Sequence, residues 1–232
     1  MSIKVIAFDM GGTLMEYIDM PTCWLDFYEN ALYSAVKELS LPLSDGQIRK
    51  TLEILRSYNP RVNYREEDFP PEYIFGEACA GWDIPFDMDA LIDGFFKAFE
   101  LKSLVYPESG EILGLLKENG FGLAVLTDVA ALMHDELHKS HLRELLPYFD
   151  LYVSSISCGF RKPNPKGLCD IAEHFGVTAN DMIYIGDEQK DIECARRFGC
   201  GSVLIDRKKS GKDLGQNHTI TDLYGLKNIL NF

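Results

Sequence analysis

The sequence predicts an α/β protein, a doubly wound parallel sheet with an all-helical domain inserted after its first strand. Two observations predict it. Short, β-rich apolar runs alternate with helical patterns along most of the chain, as in parallel strands joined by crossover helices. One long stretch, from about Glu16 to Ser103, breaks that alternation and shows helical patterns only.

The first strand is Ile3 to Phe8, a buried-type run ending at Asp9. Similar runs recur at Phe121–Thr127, Leu151–Ser154, Met182–Ile185 and Ser202–Ile205. Between them, Pro107 to Asn119 carries Ile112, Leu115 and Leu116 on one helical face and stops at Gly120. Lys166 to Phe175 and Glu188 to Phe198 end the same way, at Gly176 and Gly199. In the inserted stretch, Trp24 to Leu39 places Leu25, Tyr28, Leu32, Ala35, Val36 and Leu39 at helical spacing. Ser44 and Gln47 form a capping-box signature ahead of Ile48, Leu52 and Leu55. Two further helices are expected over Pro70–Cys79 and Asp87–Phe99. Arg207 to His218 reads as a polar surface loop before a final helix at Asp222–Leu230.

A chain of 232 residues holds one sizeable core, or one core and a smaller satellite. Its formal charge of −13, from 36 acidic and 23 basic residues, argues against nucleic acid or an anionic membrane as a general partner. The apolar run at the start is too short for a signal peptide, and no run approaches the ~20 residues of a membrane span. The six cysteines form no CxxC pair and read as reduced thiols. A cytoplasmic monomer or homodimer is therefore expected.

Four short motifs fall where strands end. Asp9-Met10-Gly11-Gly12-Thr13 follows the first strand, and its glycines suit a backbone that comes close to an anion. Leu126-Thr127-Asp128 ends the next long strand. Arg161-Lys162-Pro163 precedes a helix. Gly186-Asp187 is followed by Asp191 in the first helical turn. Together they meet the needs of phosphoryl transfer, which are an in-line nucleophile and neutralisation of the phosphoryl oxygens. Asp9 is the candidate nucleophile. Asp9 and Asp187, with Asp191 completing or supporting the shell, offer hard oxygen ligands for Mg²⁺. Lys162 supplies a cation and Thr127 a hydroxyl.

In order and placement these motifs resemble those of the haloacid dehalogenase superfamily across nearly the whole chain. The resemblance implies a Rossmann-like core, residues 1–15 and 104–232, under a mobile helical cap, residues 16–103. It implies catalytic roles for Asp9, Thr127 and Lys162. It also implies a Mg²⁺ held by Asp9, the carbonyl of Gly11, and Asp187, with Asp191 nearby. The expected reaction is hydrolysis of a small phosphorylated metabolite through an aspartyl phosphate. Gly12 and Asp128 at the strand ends, with Arg56, Arg61 and Arg65 in the cap, are assigned to substrate binding.

One position departs from the family. Most of its phosphatases carry a second aspartate, the general acid, two residues after the nucleophile; here Gly11 stands there. General acid–base help is worth ~10²–10⁴-fold. Three consequences stay open: a substitute acid (Glu16, Tyr17 and Asp19 are nearest), a substrate with a good leaving group, or slow turnover. Gly11 disfavours a phosphomutase, which needs that aspartate, and a dehalogenase, which has tyrosine there. A Schiff-base phosphonate hydrolase would need a cap lysine, and neither Lys37 nor Lys50 has the matching context. The alternative from another class is a binding or regulatory protein that keeps the fold with weak or lost catalysis. His134, His138 and His141, at helical spacing, are read as a solvated polar face rather than a zinc site.

Overall fold

The computed structural model describes residues 3–230. In chain order the elements are β1 (Val5–Phe8), β2 (Met15–Tyr17), α1 (Tyr28–Glu38), α2 (Asp45–Ser57), α3 (Pro71–Ala78) and α4 (Met88–Lys97). Then come β3 (Ser103–Val105), α5 (Ser109–Glu118), β4 (Gly122–Thr127), α6 (Asp135–Ser140), β5 (Leu151–Ser154) and α7 (Ser155–Cys158). The chain closes with α8 (Lys166–Phe175), β6 (Met182–Gly186), α9 (Gln189–Phe198), β7 (Gly201–Ile205), β8 (His218–Ile220) and α10 (Leu226–Leu230).

Six strands form one parallel sheet in the order β5-β4-β1-β6-β7-β8. β1 lies between β4 and β6 and is buried along its whole length, which explains its unbroken apolar run. The chain order reverses around β1, so the carboxyl ends of β1, β4 and β6 frame the crevice where open α/β sheets take ligands. Two apolar clusters cover the sheet. One packs Ile112, Leu113 and Leu116 of α5 against alternate residues of β1 and β4, and the other packs Leu168 and Ile171 of α8 against the opposite face.

The insert differs from its sequence reading in one respect. β2 and β3, at its two ends, pair antiparallel with Met15 opposite Val105 and Tyr17 opposite Ser103. Three residues show no usable period, and the partner lies far along the chain, so the ribbon was invisible in the sequence. Between these strands α1 to α4 bury Leu32, Leu55, Phe75 and Phe95 around a core of their own. The capping box at Ser44 and Gln47 opens α2, and Asp87 caps α4 through Ala90 N at 3.1 Å.

This helical cluster does not stand apart from the sheet domain. Val129, Leu132 and Met133, from the segment after β4, are buried within it. Arg161 N donates to Glu66 O at 2.7 Å and Asp68 N to Gly159 O at 2.9 Å. Nearby, the buried Arg161 side chain pairs with Asp68 at 2.7 Å and donates to Val129 O at 3.0 Å. Backbone and side chain thus tie the segment after α2 to the segment after α7.

Candidate active site

β1 delivers Asp9 to the crevice, β4 delivers Thr127, and β6 delivers Asp187. All three border a cavity of about 330 Å³ closed on its far side by Trp24, Tyr28 and Arg61 of the helical insert. Lys162 is 4% exposed, and its Nζ lies 2.6 Å from Asp9 Oδ1, 2.7 Å from Asp191 Oδ1 and 3.1 Å from the Tyr184 hydroxyl. Burial works against the charge of this lysine, but Asp191 and Asp9 overcome it and hold its pKa well above the usual value. Lys162 therefore stays cationic.

The acids show the strain of their crowding. Burial pushes Asp9 up to about 6, Lys162 partly offsets the rise, and Asp191 adds to it. Asp187 is pushed up to about 8, first by burial and then by Asp9 and Asp191. Carboxylate oxygens of Asp9, Asp187 and Asp191 lie within 4.8 Å of one another. Among the described residues, Asp187 Oδ1 is buried with no hydrogen-bond partner. An orphaned carboxylate oxygen beside two more carboxylates fits a hard divalent cation, which would replace the missing counter-charge. Asp191 is more occupied: Oδ1 pairs with Lys162, and Oδ2 accepts from Glu188 N at 2.9 Å. It orients Lys162 and supports the cluster.

Two glycines make this packing possible. Gly12 has φ +75°, and a Cβ there would sit 2.3 Å from Asp187 Oδ2. A Cβ on Gly186 would meet the Asp191 side chain at 2.4 Å. Gly186→Ala should cost about 1–3 kcal/mol in denaturant unfolding, an overpacking penalty in a site with no slack. An unchanged midpoint would show that Asp191 moves freely.

The structure revises several expected substrate contacts. The Gly12 N–H donates to Met15 O at 2.7 Å, and its carbonyl accepts from Arg207 Nε at 3.1 Å. Its backbone is engaged, and its role is to leave room for Asp187. Asp128 lines the cavity and already holds two lysine partners, accepting from Lys162 N at 2.9 Å and pairing with Lys190 Nζ at 3.0 Å. Arg56 lies away from the cavity and pairs with Glu29 across the outer faces of α1 and α2, 3.3 Å away. Arg65 packs against Tyr58 and Phe69 and bonds to Asp68, also outside the cavity. Only Arg61 of the three reaches over the site, where it meets Glu188 at 3.1 Å. Of the substitute acids, Glu16 and Tyr17 border the cavity and Asp19 does not.

Two basic residues escaped the sequence reading. Lys190 bridges Asp128 and Glu188 at 3.0 and 2.9 Å on the cavity wall. Its only signal was its place inside the Gly186–Asp191 motif. Arg207 lies in the segment read as a surface loop. It holds the loop after β1 through Gly12 O and Thr13 O, pairs with Glu108 at 2.7 Å and stacks over Tyr106. Nothing in the sequence marked it.

The three histidines are not a solvated face. His134 precedes α6 in extended conformation, so it does not share the helix surface. His138 is 5% exposed, with Nδ1 3.2 Å from the Tyr152 hydroxyl, and His141 Nδ1 lies 2.8 Å from the Tyr17 hydroxyl. α6 turns this face inward because β5 places Tyr152 beneath it. Burial, with a smaller contribution from the neighbouring His141, holds the His138 pKa down to about 3. The unfolded chain takes up this proton near pH 6.5, whereas the folded chain resists it to pH 3. Stability from this group is present above pH 6.5 and is lost as the pH falls towards 3, by about 1.4 kcal/mol per unit. His138→Asn should flatten the slope of stability against pH between 6.5 and 4 by that amount.

Comparison with known proteins agrees with this geometry. Residues 3–199 match the family of haloacid dehalogenase-like hydrolases. A phosphoglycolate phosphatase of Aliivibrio fischeri is 26% identical over 203 residues, spanning 88% of this chain and 84% of that one. A haloacid dehalogenase-superfamily phosphatase from Thermococcus onnurineus shares the fold with TM-score 0.64 at 21% identity over 98% of both chains. A 2-haloacid dehalogenase from Pseudomonas syringae superposes equally well, TM-score 0.64 at 20% identity over 99% of this chain and 98% of that one.

Proposed function

The chain belongs to the haloacid dehalogenase-like hydrolases, and from that membership we propose a Mg²⁺-dependent phosphohydrolase that acts on a small phosphorylated metabolite through an aspartyl phosphate on Asp9. The observation that carries this reading is the buried Asp9–Lys162 pair beside the unpartnered Asp187 oxygen. Lys162 fixes Asp9 Oδ1 and leaves the second oxygen to attack phosphorus. With a pKa of about 6, Asp9 is ionised at neutral pH. Lys162 and the Thr127 hydroxyl then face the phosphoryl oxygens, where charge builds in the transition state. Asp9, Asp187 and the Gly11 carbonyl, with Asp191 in support, would hold Mg²⁺, which would supply the neutralisation that lets a carboxylate approach a phosphate dianion. The relatives named phosphoglycolate phosphatase support phosphate-ester chemistry. At about a quarter identity they leave the substrate to the cavity residues.

Gly11 lies at the cavity edge, and a Cβ there would meet nothing within 4 Å. The missing acid can therefore be restored without strain. Gly11→Asp should raise kcat/KM for alkyl phosphates by about 10²-fold or more and for aryl phosphates by much less. Equal gains on both would remove the missing-acid argument.

The test of the function itself is phosphate release from a panel of aryl, acyl and sugar phosphates, with Mg²⁺ and with EDTA. Metal-dependent release is the expected result. A folded protein that binds Mg²⁺ yet releases no phosphate would instead be the binding or regulatory member of the family.

A further inference from the structure

His138 belongs to none of the motifs that carry the chemistry, yet it borders the same cavity as Asp9 and Thr127. Most of the wall is polar or charged, Thr127, Asp187 and Lys190 included, and Ala130 and Ala131 are among its few apolar members. Behind the ring lies a chain of polar groups. The Tyr152 hydroxyl donates to Asp135 Oδ1 at 3.2 Å, and Asp135 Oδ2 accepts from the Ser154 hydroxyl at 2.8 Å. A carboxylate only accepts, so the single Tyr152 proton points to Asp135. The Tyr152 oxygen is then left to accept from His138 Nδ1, 3.2 Å away. That places the ring proton on Nδ1 and leaves Nε2 bare. Nε2 has no partner among the described groups and, unlike His134 Nε2, is not a fully buried atom, and its ring borders the cavity.

We propose that His138 Nε2 is the acceptor for a hydroxyl group on the organic part of the substrate, with Tyr152 and Asp135 as positioning residues that fix its tautomer. The assignment rests on the phosphohydrolase reading of the site. Burial supports it by keeping the ring neutral through the physiological range, so that Nε2 gains no proton of its own. A buried acceptor with no donor of its own selects for a hydroxyl, because an analogue without one leaves Nε2 desolvated and unpaired. The phosphorylated compounds that fit are polyol or sugar phosphates.

Two measurements test it. Long-range ¹H–¹⁵N spectra of protein labelled at histidine should show His138 as the neutral Nδ1–H tautomer at pH 7, and Tyr152→Phe should mix the tautomers. An Nε2–H ring or an imidazolium in the wild type overturns the assignment. The second is turnover of matched pairs, ribose 5-phosphate with 2-deoxyribose 5-phosphate and glycerol 3-phosphate with propyl phosphate. The wild type should prefer the hydroxylated member of at least one pair by about tenfold or more. His138→Phe should bring the rate ratio within that pair close to unity, and His138→Gln, whose amide oxygen still accepts, should keep part of it. No preference in the wild type, or one unchanged in His138→Phe, overturns the proposal. A wild type that hydrolyses no phosphate ester under any condition sinks the phosphohydrolase reading instead, and the tautomer still decides the acceptor.

Discussion

Asp9→Asn should lower Mg²⁺-dependent turnover by at least about 10⁴-fold and leave the protein folded, with stability equal to or above the parent's. The loss in rate follows from the proposed role of Asp9 as the attacking group, since removing a nucleophile costs nearly all of the covalent pathway. Retained stability follows from the site's electrostatics. Burial and Asp191 make the charged form of Asp9 unfavourable, which is why its pKa lies near 6. A neutral amide of the same shape removes that cost. Lys162 keeps Asp191 as its partner at 2.7 Å. The pair of results separates a catalytic role from a structural one: a core residue would lose stability, and a nucleophile loses only rate. Steady-state kinetics and urea unfolding read the two arms.

Lys162→Met has the second large effect, and here rate and stability fall together. The lysine is the cation buried among Asp9, Asp191 and the Tyr184 hydroxyl. Its loss leaves Asp9 and Asp191 without the cation that contacts them, with Lys190 acting only from its pairs with Asp128 and Glu188, and breaking a buried pair from one side costs about 3–5 kcal/mol. Millimolar Mg²⁺ should return part of that stability, because a divalent ion on Asp9 and Asp187 offsets some of the same repulsion. It should not return turnover, since the phosphoryl oxygens still lack their cation. Thermal unfolding with and without Mg²⁺ checks the first arm. A variant as stable as the parent in EDTA would mean that the acids are protonated at rest and that Lys162 is not what holds them.

The legible parts of this molecule were those written in local sequence. Alternation of strand and helix patterns located the sheet, because β1, β4 and β6 are buried on both faces and so read as continuous apolar runs. Asp9, Thr127 and Asp187 stood out because each lies at the end of a strand, and Lys162 because it sits in the loop leading into a helix; the fold draws such positions together. Contacts made across the chain were not legible. Arg207 reaches Thr13, and Arg161 reaches Asp68, over separations that no period marks. Arg56 and Arg65 were overvalued for the same reason. A charged residue near aromatics reads as a grip, and only the packing shows that one faces Glu29 and the other Tyr58. The histidines were misread because helical spacing shows a shared face without showing what lies under it. Tyr152 and Tyr17 were those hidden neighbours.

The most direct test of the central claim is chemical trapping of the intermediate. The enzyme would be mixed with Mg²⁺ and a substrate from the panel, quenched in acid within the first turnover and reduced with borohydride, which converts an aspartyl phosphate to homoserine. Peptide mass spectrometry should find homoserine at position 9, and none in the EDTA control. Phosphate release with Asp9 unmodified throughout the first turnover would contradict the account and point to direct attack by water.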